Sequence, residues 1–191
     1  MSVLALAGEL PARLLAQLRS ARDTERAYAA LCETEARTDS LTGLGNRRHG
    51  EQLLDTLQPG DAVVMLDLDH FKAINDRFGH AGGDRVLRDL GVYLLASIET
   101  GNGVARFGGE EFLLIFRDET DPLAAAEELA AGWRERQPLT AFSAGVSVHR
   151  QDRPLSITFS EADTALYRAK REGRDRTRMF GTQIPDTAAV S

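Results

Sequence analysis

The 191-residue sequence lacks the features of a secreted or membrane-spanning protein. Its single cysteine, Cys32, excludes an intramolecular disulfide and fits a reducing compartment. No apolar run approaches the ~18–20 residues that are needed to span a bilayer. The first ten residues also lack the positively charged start of a secretion signal. We therefore expect a cytoplasmic protein without a membrane span.

An excess of positive charge is missing as well. The chain has 23 lysines and arginines against 29 acidic residues, which gives a formal net charge of −6. This balance argues against an extended positively charged surface that would bind nucleic acid, so no nucleic-acid partner is expected. A nucleotide is not excluded, because a local basic cluster or a metal ion can hold a triphosphate inside an acidic protein.

The length suits one domain of about 150 residues plus an appendage. Residues 9–37 have a helical pattern, and heptads counted from Leu10 place apolar residues at five of eight positions. This N-terminal helix, within residues 1–37, would serve dimerisation or signalling. Alternatively, it packs on its own domain or frays. Residues 38–180 are the expected main domain, and residues 181–191 are an expected disordered tail.

The main domain alternates between strand and helix patterns. The apolar run at 62–68 predicts a buried strand, 140–148 alternates as a half-buried strand, and short apolar segments predict a hairpin around 108–109. Helices are predicted at 71–78 and 84–98 around a glycine-rich loop, from Pro122 to about Arg136, and from a capping box at Ser160 to Gly173. Because a hairpin makes the sheet mixed, the pattern indicates an α/β (α+β) sandwich.

The heptapeptide RFGGEEF at 106–112 carries the most information about function. Its two glycines suit a two-residue turn that needs positive φ at its centre. Glu110 and Glu111 follow directly, and adjacent residues on a strand point to opposite faces of the sheet. Taken alone, this acidic pair fits a solubilising exposed turn equally well.

A second acidic pair ends the first predicted strand. Asp67 and Asp69 are spaced i, i+2, which places both on one face if the strand persists. Carboxylates concentrated in this way repel one another, and bound Mg²⁺ or basic partners usually offset that cost. Two surface aspartates entering a turn would explain the pair alone. Together with Glu110 and Glu111, a divalent cation that binds substrate phosphates becomes the better explanation.

Six motifs, taken in order, resemble the GGDEF family of diguanylate cyclases. They are DSLTGLGNRR at 39–48, DLDHFKAIND at 67–76, GHAGGD at 79–84, RFGGEEF at 106–112, SAGVS at 143–147 and ADTALYRAKREGR at 162–174. The resemblance implies that residues 38–180 form a palm-like catalytic domain with a central mixed five-stranded sheet surrounded by helices. It also implies that two molecules of GTP condense into cyclic di-GMP with release of pyrophosphate.

The resemblance also implies a metal site. Asp67, Glu110 and the backbone carbonyl of Leu68 match the family's ligands for Mg²⁺ or Mn²⁺, with two ions per GTP. Glu111 matches a second metal contact or a group that eases deprotonation of the ribose 3′-hydroxyl, and the identity of the base stays open. Asp69 matches no firm family role, so a structural or indirect role is expected.

Asn75 and Asp84 match the family's guanine-recognising residues. A side-chain amide and a carboxylate suit the donor and acceptor edges of guanine. From the residues alone, Asp84 equally fits a helix N-cap and Asn75 a polar helix residue. The resemblance further implies that Gly108 and Gly109 let the nucleotide approach the backbone.

Phosphate binding is assigned by the resemblance to Lys170 and Arg174. Their i, i+4 spacing would place them side by side at the end of the last predicted helix. A favourable interaction with the helix dipole is an alternative that does not exclude this role. Lys72, together with the backbone around Phe71, is expected to support the same phosphates.

One departure from the family concerns product inhibition. Many members carry an Arg-x-x-Asp site whose arginine lies nine residues before the first glycine of the hairpin, and here those positions hold Glu99 and Asn102. No inhibitory site of this type is therefore expected. Arg106, Arg47 and Arg48 fit phosphate contacts and structural salt bridges equally well.

Catalysis in this family requires a homodimer, because each domain holds one GTP and the two domains must face each other. No sensor domain is visible upstream, so the chain is expected to be part of a longer protein or to depend on a partner protein. The alternative function is a catalytically silent GTP-binding module that acts as a regulator or scaffold. Such modules usually lose the first aspartate or the third residue of the GGEEF run, whereas Asp67 and Glu110 are both present.

Overall fold

A computed structural model of the chain describes residues 37–137 and 139–181, and Asp23 in isolation. The chain divides into two units, Met1–Arg37 and Thr38–Ser191, and the description below concerns the second. The predicted N-terminal helix and tail lie outside the described residues, apart from Asp23, Arg37 and Gly181. The boundaries proposed from the sequence therefore stay predictions.

The described part of the chain contains four helices and five strands. In chain order they are α1 (Arg47–Asp55), β1 (Ala62–Leu68), α2 (Phe71–Ser97), β2 (Gly103–Arg106), β3 (Glu111–Phe116), α3 (Pro122–Arg136), β4 (Phe142–Val148), α4 (Leu155–Arg171) and β5 (Thr177–Met179).

The five strands form one mixed sheet in the order β2-β3-β1-β4-β5. Strand β1 pairs antiparallel with both β3 and β4, β2 pairs antiparallel with β3, and β5 runs parallel to β4. This architecture confirms the expected α+β fold with a central mixed five-stranded sheet. It also places β1, the strand that carries Asp67, at the centre.

Two hydrophobic cores cover the two faces of the sheet. Alternate residues of β1 contribute to each, because successive side chains on a strand point to opposite faces. Val64 and Leu66 pack in the core formed with α2 and α3, whereas Val63 and Met65 pack in the core formed with α1 and α4. Burial on both faces explains why β1 reads as a continuous apolar run.

The predicted start of α3 is confirmed. The Asp121 carboxylate accepts a hydrogen bond from the backbone N–H of Ala124 (3.0 Å), and Pro122 occupies the first turn. Asn46 caps α1 in the same way, accepting from the backbone N–H of His49 (3.1 Å).

Two helix boundaries predicted from the sequence are wrong. The glycine-rich loop expected at 79–83 is helical except at Gly79, where the backbone (φ 70°, ψ 171°) kinks α2. The last helix begins at Leu155 and ends at Arg171, instead of running from Ser160 to Gly173. Leu155 and Phe159 pack against the core beneath α4, and this burial extends the helix upstream of the predicted cap.

The turn of the hairpin also differs from the prediction. Neither Gly108 nor Gly109 has positive φ. The backbone N–H groups of Phe107 and Gly108 both donate to the carbonyl of Glu111 (2.8 and 3.1 Å), so the turn spans four residues. A four-residue turn does not impose the left-handed backbone that a two-residue turn requires.

Within residues 37–137 and 139–181, we find no helix with the length and apolar character required to cross a membrane.

Candidate active site

The acidic residues of β1 and the hairpin meet at one end of the sheet. Asp67 lies directly opposite Glu111 in the antiparallel register, so the two side chains share the sheet face that α4 covers. The neighbouring backbones are also linked, because the Leu68 N–H donates to the carbonyl of Glu110 (3.2 Å). The sheet thus brings Asp67, Leu68, Glu110 and Glu111 together, as the sequence predicts.

Lys170 adds a positive charge to this cluster. Its ammonium nitrogen lies 2.7 Å from an Asp67 carboxylate oxygen. Helix α4 reaches this position because it packs tightly on β4 at Gly145, where a Cβ atom would lie 2.1 Å from the Leu166 nitrogen and 2.2 Å from the Ala162 oxygen. Glycine at 145 therefore sets the distance at which α4 carries Lys170 to the sheet.

Burial and mutual repulsion make the charged forms of two carboxylates unfavourable. Burial raises the pKa of Asp67, which is 6% exposed, and the nearby charges of Glu111 and Asp69 raise it further. Burial likewise raises the pKa of Glu110, with Asp67 and Glu111 adding to the effect. Lys170 opposes both shifts. A cluster of this kind is stabilised by additional positive charge.

The residues present fit a hard divalent cation bound jointly with a phosphate group. Asp67, Glu110 and Glu111 supply carboxylate oxygens, the donors that Mg²⁺ prefers. Among the residues that the structure describes, no group of three or more histidine, cysteine or acidic side chains is arranged to hold a metal unaided. Mg²⁺ is commonly held by one or two carboxylates with substrate phosphates completing its shell, and this donor set suits that mode.

A clamp between the hairpin and the start of the domain fixes the turn. The Arg106 guanidinium donates to the carbonyl of Gly109 through Nε (3.2 Å) and Nη2 (2.7 Å), and its Nη1 lies 3.2 Å from Asp39 Oδ1. Burial raises the pKa of Asp39, but hydrogen bonds from Thr42 and the Arg106 charge outweigh it, so the net pKa is lowered. Of the two roles open for Arg106, the structure shows the salt bridge.

Asp39 is a residue of the site that the sequence analysis missed. Its local turn is detectable in the spacing D-x-x-T, since Thr42 donates to Asp39 Oδ1 through both its backbone N–H (2.9 Å) and its hydroxyl (2.7 Å). Its pairing with Arg106 spans 67 positions and leaves no local signal.

The two candidate guanine-binding residues lie on α2, one on each side of its kink at Gly79. The Asn75 side chain rests against Gly83, where a Cβ atom would lie 2.0 Å from Asn75 Oδ1. Asp84 follows directly and lies 3.8 Å from Arg88 in a solvent-exposed ion pair. Gly83 thus provides the space that the Asn75 amide occupies, next to Asp84 in the sequence.

The start of α2 presents backbone groups and one cation. His70 precedes the helix in a left-handed conformation (φ 56°), and its side chain makes no capping hydrogen bond to the first turn. The Phe71 side chain is buried in the core, so only its backbone is suited to contact a phosphate. Lys72 is exposed in the same turn.

The i, i+4 spacing predicts that Arg174 lies beside Lys170, and this prediction is wrong. Helix α4 ends at Arg171, and Arg174 follows in a left-handed conformation (φ 64°) outside the helix. Arg174 lines a cavity with Asp69 and His70, whereas Lys170 lines another with Glu111. The two cations therefore approach the end of the sheet from different directions.

The positions of the family's inhibitory site have other contacts here. Asn102 Oδ1 accepts a hydrogen bond from the backbone N–H of Arg117 (2.8 Å). Glu99 lines a cavity together with Glu119 and Glu128, so this region carries negative charge.

Comparison with known proteins agrees with the motifs and the fold. Residues 36–176 match the family model described as diguanylate cyclase, GGDEF domain. Diguanylate cyclase DgcP of Pseudomonas aeruginosa is 36% identical over 198 residues, which cover 90% of this chain and 28% of DgcP. Cyclic di-GMP phosphodiesterase PdeR of Escherichia coli is 36% identical over 165 residues, covering 78% of this chain and 25% of PdeR.

This chain therefore spans about a quarter of the length of these two relatives. Among solved structures, the coiled coil and GGDEF domain of DgcB from Caulobacter crescentus in complex with c-di-GMP superposes with a TM-score of 0.79. The sequence identity is 27%, and the match covers 87% of this chain and 97% of that one. On this evidence the chain belongs to the GGDEF-domain family of diguanylate cyclases.

Proposed function

We propose that the chain is an active diguanylate cyclase that condenses two molecules of GTP into cyclic di-GMP and pyrophosphate. The observation that carries the proposal is the convergence of Asp67, Glu110 and Glu111 at one end of the sheet, with Lys170 against Asp67. The three carboxylates repel one another, and Lys170 is a cation beside them. Such a cluster suits a site that binds divalent cations together with the phosphates of a nucleotide.

Asp67, Glu110 and the Leu68 carbonyl are the groups that would hold Mg²⁺ or Mn²⁺, two ions per GTP. Bound there, the ions would polarise phosphoryl oxygens and neutralise their charge. The chain's own cations complete the phosphate site. Lys170 would contact the phosphates from α4, and Arg174 and Lys72 would contact them from the side of α2.

Asn75 and Asp84 would select guanine. The Asp84 carboxylate can accept from the N1 and N2 donors of the base, and the Asn75 amide can pair with an acceptor on its edge. Glu111 would accept the proton of the ribose 3′-hydroxyl or hold the group that does. Since each 3′-hydroxyl must attack the other α-phosphate, two copies of the domain would face each other, and proximity would supply much of the rate.

The alternative is a silent GTP-binding module that acts as a regulator or scaffold. The match to PdeR, which is named for a phosphodiesterase, shows that resemblance to this family extends to proteins not named as cyclases. Both the active cyclase and the silent module would bind GTP, but only the cyclase would form cyclic di-GMP.

The deciding experiment incubates the chain with GTP and Mg²⁺ over a range of protein concentrations and measures cyclic di-GMP and bound GTP separately. Synthesis that rises more steeply than protein concentration is expected, because the active unit is a dimer. Asp67→Ala and Glu110→Ala should abolish product, whereas Glu135→Gln, at an exposed position on α3, should leave it unchanged. GTP binding without product at every concentration would favour the silent module.

A further inference from the structure

The short loop after α4 has an unusual backbone. Arg174 (φ 64°) and Asp175 (φ 49°) are consecutive non-glycine residues in the left-handed region. Such residues are uncommon there, and the conformation persists only where surrounding contacts determine it. The contacts around this loop therefore show what holds Arg174 in place.

Three hydrogen bonds fix the backbone on both sides of Arg174. Its N–H donates to the Ala169 carbonyl (3.1 Å), and its carbonyl accepts from Arg176 Nε (2.8 Å). The next N–H, that of Asp175, donates to Asp69 Oδ2 (2.9 Å). The third bond is the only one of the three that ties the loop to β1 and its extension.

Asp69 is itself rigidly placed. It is 5% exposed, its second oxygen accepts from the Ser143 hydroxyl (2.8 Å), and its carbonyl accepts from the Thr140 hydroxyl (2.7 Å). Its N–H donates to the Ala141 carbonyl (3.0 Å). The Asp69 carboxylate thus connects β4 to the loop that carries Arg174 and fixes the position of the loop relative to that strand.

The Arg174 side chain is left available by this arrangement. In the part of the chain that the structure describes, no carboxylate forms an ion pair with its guanidinium. It lines a cavity of about 440 Å³ whose wall also includes Asp69 and His70, the residue before the first turn of α2. Arg134, which lines the same cavity, holds the loop through an ion pair with Asp175 (2.7 Å).

We infer that Asp69 is a positioning residue that acts through Arg174 on the phosphates of a bound nucleoside triphosphate. This rests on the proposed role of Arg174 in GTP binding. A carboxylate suits the task because its two oxygens accept from two donors at once, the Ser143 hydroxyl and the Asp175 N–H. Asparagine offers one such oxygen, and alanine offers none.

The test is a double-mutant cycle that measures the Kd of a non-hydrolysable GTP analogue in the presence of Mg²⁺. Arg174→Ala and Asp69→Ala should each weaken binding about tenfold, and the double variant should be no weaker than Arg174→Ala alone. A merely structural role, or an effect transmitted through Asp67, would instead make the two losses multiply to about a hundredfold. That additive result would overturn the inference.

Asp69→Asn keeps the volume of the side chain and serves if the alanine variant does not fold. It should weaken binding about threefold with Arg174 present and not at all in the Arg174→Ala background. Asp152→Asn, which changes an exposed aspartate paired with Arg150, is the matched control and should bind like the parent chain. Equal losses in both backgrounds, or none in either, would refute the inference.

Because analogue binding needs no cyclisation, the two proposals can fail separately. A chain that binds the analogue, shows the coupling and makes no cyclic di-GMP refutes the enzymatic function and leaves the positioning role intact. A folded chain that does not bind the analogue refutes the positioning role.

Discussion

Replacing Gly145 with alanine tests whether α4 is seated by its contact with β4. The added Cβ would lie 2.1 Å from the Leu166 nitrogen and 2.2 Å from the Ala162 oxygen, and ordinary contact begins at 3.4 Å. Both atoms belong to the α4 backbone, so no side chain can rotate away to relieve the clash. The helix would have to retreat by roughly 1.3 Å, because heavy atoms repel strongly inside their optimal separation.

The expected cost follows from overpacking. Forcing extra volume into a packed interface costs about 1–3 kcal/mol, and the backbone contact places Gly145→Ala at about 2–3 kcal/mol. For a domain of this size that loss lowers Tm by about 6–12 °C. Since Lys170 lies one helical turn beyond Leu166, the shift would also draw its ammonium away from Asp67. A misplacement of about 1 Å near reacting groups can reduce the rate by about 10²-fold.

The measurements are urea and thermal unfolding together with the rate of cyclic di-GMP synthesis. Gly109→Ala is the stability control, because a Cβ there meets nothing within 4 Å and the backbone φ is not positive. It should leave Tm unchanged. If Gly145→Ala matched the parent chain in both stability and rate, the close approach would not determine the position of α4.

Three further predictions concern other parts of the site. Gly83→Ala should push the Asn75 amide aside and weaken binding of a GTP analogue about tenfold, as isothermal calorimetry would show, and unchanged binding would exclude Asn75 from guanine contact. The native pKa of Asp39 is below the ordinary 3.8. Its ion pair with Arg106 therefore contributes fully to the free energy of unfolding above the ordinary pKa. The loss of unfolding free energy in Asp39→Asn should therefore shrink as pH falls through the lowered native pKa, and a gap that stays constant in urea titrations down to about pH 3 would contradict this. Cyclic di-GMP should not inhibit synthesis at micromolar concentration, since Glu99 has the wrong sign for a phosphate ligand, and micromolar inhibition would refute that reasoning.

The central strand and its carboxylates could be predicted because their signal is local. An apolar run that ends in Asp67 reads as a buried strand whether or not its neighbours are known. The hairpin could be located from its two glycines for the same reason, although its turn geometry could not. That geometry depends on Glu111 accepting two backbone hydrogen bonds, and a pair of glycines permits several turn types.

The contacts that assemble the site depend on pairings between distant segments. The spacing of Lys170 and Arg174 predicts neighbours only if the helix continues, but α4 ends at Arg171 and the positive φ of Gly173 (113°) turns the chain before Arg174. The pairing of Lys170 with Asp67 requires the packing of α4 on β4. Strand β5 has three residues, too few for a periodic signal, and exists through its pairing with β4.

The position of β1 divides the site into two parts with different freedom to fluctuate. Asp67 lies on a strand that is hydrogen-bonded along both edges, so exposing its backbone requires the sheet to come apart. Glu110 lies in the turn between β2 and β3, where its carbonyl accepts one hydrogen bond from the Leu68 N–H (3.2 Å), so local opening breaks fewer bonds than opening of the sheet. Excursions of the hairpin can therefore separate the two carboxylates while the rest of the domain stays folded. Among folded molecules, the fraction in which the two carboxylates lie together thus depends on the hairpin and on its Arg106 clamp.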